Sequence, residues 1–222
     1  MNPEPKPSGT VVVVRDRADG LELLLLQRTP RQGKPGPWVF PGGKVDAADC
    51  RSGADPAEDA RRAAVREADE EAGLTLREGS LVEISRWITP EISPKRFDTW
   101  FFLTRADADA PIRVDGHEIG DHRWLRPVDA LESHHARNLR LAPPTFVTVA
   151  WLADFHESES ALQTLGERQL APFRPRITRI DAGACMLYPG DAGYEASDPE
   201  ASGARHRLWA LEERWRYELD LR

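Results

Sequence analysis

Two short apolar runs constrain the fold of this chain more than any other feature. Residues 11–14 are four valines and residues 23–26 are four leucines. Each run has the length of a strand, and neither shows the alternation of a strand with one face in water. Residues 16–20 between them are turn formers. The runs therefore predict strands at 10–15 and 21–28 in a sheet that is buried on both faces.

The clearest helix pattern follows a loop of small and acidic residues. Asp55 suits the N-cap, Pro56 the first helical position, and Glu58 the third position of a capping box. Alanines and charged residues continue to Ala72, and Gly73 supplies a C-terminal stop. A helix is therefore predicted from Pro56 to Ala72.

Weaker patterns predict the remaining elements. They comprise strands at residues 81–88, 99–104 and 122–125, helices at 127–133 and 146–155, a polar helical stretch to 170, and short strands at 177–180 and 184–188. The end of the chain fits both a strand and a helix, and we favour a terminal strand or hairpin. Strands and helices mix without a regular βαβ repeat, which is typical of an α+β sandwich.

These patterns also suggest a domain organisation. Residues 1–9 are rich in proline and predict a loose leader, residues 10–155 predict one domain, and residues 156–222 predict a C-terminal extension packed on it. The end of the extension is rich in aromatic residues, with Trp209, Trp215 and Tyr217, for which core packing is the simplest role. A cover over a substrate site, or the surface of a homodimer, is the alternative.

The charge balance narrows the class of partner. The chain has 30 basic and 37 acidic residues, a formal net charge of -7, which argues against broad binding to nucleic acid or to an anionic membrane. No apolar run approaches the roughly 20 residues that a membrane span needs. The first residues lack the basic and apolar blocks of a signal peptide, so a cytoplasmic location is expected.

Three carboxylates of the predicted helix are candidates for metal binding. Spacing of i, i+3 and i+4 places Glu67, Glu70 and Glu71 on one face. Such spacing alone often marks a solvated acidic face. Here a glycine loop, ending in Gly43, precedes the helix and Arg66 precedes the first glutamate. Carboxylate and carbonyl oxygens are the ligands that Mg²⁺ prefers, so the arrangement indicates a divalent cation site.

These residues resemble the Nudix family, whose box reads G, five residues, E, seven residues, R-E, an apolar residue, any residue, E-E, any residue, G and an apolar residue. Gly43 and Asp49 match its opening, with Asp in place of Glu, and residues 66–74 match its ending. Sixteen residues, 50–65, stand where the family has seven, so a nine-residue insertion splits the box. Either Asp49 or Glu58, which is separated from the R-E pair by the family's seven residues, could be the partner of the arginine.

The resemblance implies a fold and a set of roles. The fold would be an α/β/α sandwich around a mixed sheet. Glu70, Glu71 and the carbonyl of Gly43 would bind Mg²⁺, with Mn²⁺ as a substitute. Glu67 would be a further ligand or the base for the attacking water, and Arg66 would orient the carboxylates. The implied enzyme is a diphosphatase acting on a nucleoside diphosphate derivative.

A further carboxylate lies outside the box. Some Nudix enzymes carry a glutamate six residues before a tryptophan that starts a strand, and Glu118 stands in that relation to Trp124. Glu118 would then be a metal ligand or a general base. The alternative is an ordinary surface glutamate in a polar loop.

The chain outside the box resembles the peroxisomal coenzyme A diphosphatase branch of the family, which also splits its box. The segments that carry this resemblance are residues 28–31, 39–43, 46–49, 87–90, 96–103, 118–124 and 141–145. The branch cleaves CoA or acyl-CoA to adenosine 3′,5′-bisphosphate and a phosphopantetheine. Pro90 lies sixteen residues past Leu74, a position associated with ADP-ribose hydrolases. ADP-ribose or another nucleoside diphosphate derivative is therefore the alternative substrate.

Basic residues that could hold the substrate are few near the box. Arg28, Arg31 and Lys34 cluster before it, and Arg96 precedes a predicted strand. Arginine offers a planar fork of donors for phosphate oxygens, so Arg28, Arg31 and Arg96 are the candidates for substrate binding. A hypothesis of another class is a Nudix-like binding domain without turnover; retention of all three box glutamates disfavours it.

Overall fold

The valine and leucine runs form paired antiparallel strands, as predicted. In the computed structural model, which describes residues 3–30 and 35–221, strand β1 spans Lys6–Arg17 and β2 spans Gly20–Arg28, with Val14 opposite Leu23. All eight side chains of the two runs are fully buried. The sheet is therefore covered on both faces at its centre.

Strand β1 starts earlier than predicted. Residues 6–9 were assigned to the loose leader, but Ser8 and Gly9 pair with residues of a short strand, Gly42–Lys44, on the edge of β1. Polar residues without periodicity do not signal a strand by themselves, and this pairing depends on partners that lie far along the chain, at Gly43 and Lys44.

Seven strands make up the larger sheet. After β1 and β2 these are β3 (Trp38–Val39), β4 (Gly42–Lys44), β5 (Val82–Ile88), β6 (Phe97–Arg105) and β7 (Ile119–Leu125). Their order is β3-β2-β1-β6-β5, with β4 pairing with β1 and β7 with β2. The predicted strands at 81–88, 99–104 and 122–125 are thus confirmed with small shifts at their ends.

Four α-helices occur in the described residues. They are α1 (Pro56–Ala72), α2 (Pro127–His135), α3 (Pro143–Leu152) and α4 (Ser158–Gly166), and a 3₁₀ turn covers Glu78–Ser80. Helix α1 has the predicted bounds. No helix of the described residues is both long enough and apolar enough to cross a membrane.

Local chemistry explains the ends of α1. The Asp55 side chain accepts a hydrogen bond from the Ala57 amide at 2.9 Å, and Gly73 ends the helix with a φ of 65°. Glu58, expected to complete a capping box, instead lies 3.5 Å from the guanidinium of Arg61. The helix start therefore relies on the Asp55 cap and on the proline that follows it.

One face of α1 consists of alanines that pack on the sheet. These buried residues are Ala60, Ala63, Ala64, Ala68 and Ala72. At Gly9 of β1 the backbones of strand and helix come so close that an added Cβ would lie 1.8 Å from the Ala60 carbonyl oxygen. Small residues on both elements thus set the distance between the sheet and the helix that carries the candidate site.

Replacing Gly9 by alanine is expected to destabilise the protein by about 1–3 kcal/mol, because the new methyl group would force apart two backbone segments. Urea unfolding followed by circular dichroism measures the change. The control is Gly79→Ala, where an added Cβ meets nothing within 4 Å. Equal stability of the two variants would contradict the close packing of β1 on α1.

The contacts divide the described chain into two units. The larger unit comprises Lys6–Ser85 and Thr99–Arg168, and the smaller comprises residues 3–5, Arg86–Asp98 and 169–221. Arg86–Asp98 belongs to the smaller unit because its backbone pairs with Phe173: the amide of Ile88 donates to the Phe173 carbonyl at 2.8 Å. The predicted division at residue 155 did not foresee this, since such pairing is not visible in a local pattern.

The smaller unit contains a four-stranded antiparallel sheet. Its strands are β8 (Arg176–Ile180), β9 (Gly183–Leu187), β10 (Arg205–Leu211) and β11 (Trp215–Asp220), in the order β11-β10-β9-β8. The favoured terminal hairpin is thereby confirmed as β10 and β11. Core packing accounts for the buried Tyr188, which contacts the stacked rings of Trp87 and Phe173 edge-on. The cover and dimer hypotheses stay predictions.

Candidate functional site

Glu71 lies at the junction of α1 and β4. Its side chain is buried, with 4% of the residue exposed, and Oε2 accepts a hydrogen bond from the Gly42 amide at 2.9 Å. Glu67, one helical turn earlier, lies against the next glycine: a Cβ added at Gly43 would be 2.1 Å from Glu67 Oε1. Gly43 therefore leaves room for the Glu67 carboxylate between helix and strand, and the Gly42 amide binds the Glu71 carboxylate.

Two of the three box glutamates carry a raised pKa. The pKa of Glu71 is raised to about 7, mainly by burial and also by the charges of Glu67 and Glu118, against the lowering effect of the Gly42 amide and Arg28. The pKa of Glu67 is also raised, mainly by burial and then by Glu70 and Glu118, against a lowering effect of Arg66. The predicted carboxylates, Glu118 included, thus lie within electrostatic reach of one another, and so does Arg28.

Arg66 connects the helix face to the glycine loop. Its Nη1 donates to Glu67 Oε1 at 2.8 Å and to Glu70 Oε2 at 2.9 Å, while Nη2 donates to the Lys44 carbonyl at 3.0 Å. Its Nη2 and Nε also donate to the Asp49 carboxylate at 3.0–3.3 Å. The guanidinium is therefore held by carboxylates on two sides, which raises its pKa.

The structure decides between the two candidate partners of Arg66. Asp49 is buried and pairs with it, whereas Glu58 contacts Arg61. The inserted residues form a loop at 50–55 and the first turns of α1, so Asp49 keeps its place beside the arginine. Glu58 points elsewhere because it is more than two helical turns from Arg66.

The loop that carries Glu118 is organised by Asp115, which the sequence analysis did not single out. Asp115 Oδ1 accepts hydrogen bonds from the amides of His117, Glu118 and Ile119 at 2.7–3.0 Å. The Glu118 carbonyl accepts from the Thr29 amide at 2.8 Å, directly after β2. The Asp115-Gly116 dipeptide is a turn signal that could have indicated this anchor.

The three candidate substrate arginines have different surroundings. Arg28 ends β2 and acts electrostatically on Glu71. Arg31, with Lys34, lies outside the described residues. Arg96 belongs to the smaller unit, where it donates to the carbonyls of Thr89 at 3.1 Å and Pro3 at 3.2 Å. Within the described part of the larger unit, the structure brings Arg28 into electrostatic reach of the carboxylates.

The donor set has the chemistry of a hard divalent cation site. Buried and crowded carboxylates with raised pKa values are stabilised by a cation among them, and carboxylate and carbonyl oxygens suit Mg²⁺ and Mn²⁺. Among residues 3–30 and 35–221, no three acidic, histidine or cysteine side chains converge on one point. Glu70 is turned to Arg66, and Glu71 to the Gly42 amide. A cation would compete with these two hydrogen bonds.

Comparison with known proteins places the chain in a family. The NUDIX domain matches residues 5–144. Acyl-coenzyme A diphosphatase NUDT19 of Xenopus laevis is 29% identical over 136 residues, which cover 58% of this chain and 36% of the relative. The human protein of that name is 29% identical over 279 aligned positions, covering 82% of this chain and 74% of the relative.

A solved structure gives the same result for the fold. The crystal structure of a NUDIX hydrolase from Alicyclobacillus acidocaldarius has a TM-score of 0.65 and 24% identity, covering 73% of this chain and 97% of the other. The chain spans about a third of the Xenopus relative and about three quarters of the human one. Since the NUDIX domain match covers more than half of its length, this chain belongs to the Nudix hydrolase family.

Proposed function

We propose that this chain is a divalent-cation-dependent diphosphatase that hydrolyses CoA or an acyl-CoA to adenosine 3′,5′-bisphosphate and a phosphopantetheine. The observation that carries the proposal is the buried carboxylate of Glu71 beside the half-buried Glu67: burial and the charges of Glu67 and Glu118 raise the pKa of Glu71 to about 7, against the lowering effect of the Gly42 amide and Arg28. On a solvent-exposed acidic surface such charges would lie farther apart. The burial of Glu71 at the glycine turn is typical of a cation site.

The ligands of the cation would be the carboxylates of Glu67, Glu70 and Glu71 and the carbonyl of Gly43. Mg²⁺ is the proposed ion and Mn²⁺ a substitute, because both accept oxygen ligands. A bound cation would neutralise charge on the diphosphate and make a coordinated water more acidic. Arg66 would orient Glu67 and Glu70 through the hydrogen bonds from its Nη1.

The remaining residues would bind the substrate and move a proton. Glu67 or Glu118 would take the proton of the attacking water as its oxygen forms a bond to one phosphorus and the bridging P–O bond breaks. Arg28 would bind the diphosphate through its fork of donors. Arg31 and Arg96 are further candidates for the adenosine phosphate and the 3′-phosphate of CoA.

The substrate class is supported by the relatives that are named acyl-coenzyme A diphosphatase, one of which matches over 82% of this chain. Resemblance in the segments outside the box points the same way. The substrate would be a small molecule, and the net charge of -7 fits neither nucleic acid nor an anionic membrane as a partner.

Alanine at Gly43 is expected to reduce hydrolysis at least about 10-fold while leaving stability nearly unchanged. The added methyl group would displace the Glu67 carboxylate, the mobile end of a side chain, rather than a backbone segment. Displacing a group that orients or binds a metal costs about 10–100-fold in metal affinity or activity. Initial rates and melting temperatures, with Gly79→Ala as control, test this; unchanged rates would contradict the position of Glu67 at the cation.

The proposal is tested by chromatography of CoA, acetyl-CoA and ADP-ribose after incubation with the protein and Mg²⁺, using Glu70→Gln as the blank. Release of adenosine 3′,5′-bisphosphate, abolished by the blank and by EDTA, is the expected result. If ADP-ribose alone were cleaved, the proposed cation site would be supported and CoA would be rejected as the substrate. Binding without any turnover would indicate a Nudix-like binding domain and reject the enzyme.

A further inference from the structure

Arg62 joins the two ends of the insertion that splits the box. It lies on α1 one turn before Arg66, and its side chain is 9% exposed. Its Nε donates to the backbone carbonyl of Asp49 at 2.6 Å. This hydrogen bond connects Asp49, the residue just before residues 50–65, to helix α1, which contains the end of that segment.

Asp59 holds Arg62 in place. Its Oδ1 accepts from Arg62 Nη2 and from the amide of Arg51 at 3.3 Å, and the side chain is 18% exposed. The other Arg62 nitrogen, Nη1, lies 4.0 Å from Glu78. Arg62 and Asp59 both lie in residues 50–65, the segment that the insertion lengthens, so this segment carries its own clamp.

The clamp acts on the residue that orients the cation site. The Asp49 carboxylate accepts hydrogen bonds from the Arg66 guanidinium, and its Oδ2 also accepts one from the Asp46 amide at 2.9 Å. Arg66 in turn donates to Glu67 and Glu70. A chain of hydrogen bonds thus runs from Asp59 through Arg62 and Asp49 to the carboxylates of the helix face.

We propose that Arg62 is a positioning residue: it fixes the backbone of Asp49 so that the split box still presents Arg66, Glu67 and Glu70 in the geometry for a divalent cation. This inference rests on the proposed function. Without the clamp, Asp49 would keep its bonds to Arg66 and Asp46, but its backbone carbonyl would lose its contact with the helix. Ordering the loop at residues 50–55 costs conformational entropy, and the hydrogen bonds of Arg62 to Asp49 and Asp59 offset part of that cost.

The test compares Arg62→Gln and Arg62→Lys with Arg61→Gln. Arg61 is the matched control, because it is the neighbouring arginine of α1 but contacts the Leu81 carbonyl, Glu58 and the Phe102 ring rather than Asp49. In Arg62→Gln the Mg²⁺ concentration for half-maximal rate is expected to rise about 10-fold with KM for CoA unchanged. Arg62→Lys should recover part of the loss, and Arg61→Gln should show no change.

A double-variant cycle shows whether Arg62 acts through Asp49. Residues that act as one unit are not additive, so Asp49→Asn with Arg62→Gln should be no worse than Asp49→Asn alone. The proposal would be overturned if the losses of the two single variants multiplied in the double variant. It would also be overturned if Arg62→Gln needed no more Mg²⁺ than the wild type. A lower melting temperature of Arg62→Gln would reveal a general loss of folding. In that case Asp59→Asn, which weakens the clamp and leaves Arg62 in place, is used for the same measurements.

A spectroscopic measurement separates this inference from the proposed activity. The Nε–H resonance of Arg66 reports its pairing with Asp49 and is expected to shift in Arg62→Gln but not in Arg61→Gln. Mn²⁺ affinity measured by calorimetry should fall about 10-fold in the same variant. Both readouts are independent of turnover: if the wild type cleaves no substrate yet both changes occur, the positioning role stands. If neither occurs, it is rejected.

Discussion

Replacing Glu71 by glutamine is expected to lower kcat for CoA hydrolysis at least about 100-fold. Loss of a group that only orients a metal ligand costs about 10–100-fold, and loss of a ligand's charge should cost no less. Glutamine has nearly the same shape, and its side-chain oxygen can still accept from the Gly42 amide that Glu71 binds at 2.9 Å. Steady-state kinetics over a range of Mg²⁺ concentrations measures the effect.

The stability of the Glu71→Gln variant distinguishes a lost ligand from a damaged fold. The folded-state pKa of Glu71 is raised from 4.5 to about 7, so the ionised carboxylate costs folding free energy once the pH exceeds that range. Without metal at pH 8, the neutral variant should melt at the same temperature as the wild type or higher. Asp69→Asn, an exposed neighbour on the helix, is the control for both measurements. A rate within about 3-fold of the wild type would contradict the proposed ligand role.

Asparagine at Asp191 is expected to destabilise the smaller unit by about 3–5 kcal/mol, as is typical when one partner of a buried ion pair is removed. Both Asp191 oxygens accept from the Arg207 guanidinium, at 2.6 and 2.7 Å, and side-chain exposure is 0% for Asp191 and 1% for Arg207. The same carboxylate accepts from the amides of Gly193 and His206 at 2.8 Å. Asparagine would leave Arg207 charged and poorly paired.

Urea unfolding with hydrogen exchange of β9 and β10 measures this loss. The control is Arg216→Gln, which breaks the pair of Arg216 and Glu218 on β11. Because Arg216 is exposed to solvent, the loss of this pair should cost no more than about 1 kcal/mol.

The stabilisation by Asp191 depends on pH. Burial raises the pKa of Asp191, but the hydrogen bonds from Arg207, His206 and Gly193 outweigh this effect, and the net pKa is lowered from 3.8. The stabilising contribution is therefore present above that value and lost as the pH falls through the folded-state pKa. The difference in the free energy of unfolding between wild type and Asp191→Asn should therefore become smaller at acidic pH. A difference that stays constant until the protein unfolds would contradict the ion pair as the cause of the destabilisation.

Local sequence patterns determined much of this fold. Four valines and four leucines predicted buried strands because a run without alternation needs cover on both faces, and Asp55, Pro56 and Gly73 marked the helix ends because capping involves only neighbours in the chain. The spacing of Glu67, Glu70 and Glu71 likewise follows from the pitch of the helix. For these features the physics is short-range, and the sequence alone was sufficient.

Only the tertiary structure decided which distant groups meet. The choice of Asp49 over Glu58 as partner of Arg66 depended on the path of the inserted loop, and the docking of the Glu118 loop beside β2 depended on the hydrogen bond from the Thr29 amide to the Glu118 carbonyl. The buried pair of Asp191 and Arg207 joins a residue of the connection between β9 and β10 to a residue of β10. Such contacts depend on three-dimensional proximity and on how burial strengthens charge interactions, and neither is contained in the spacing of residues along the chain.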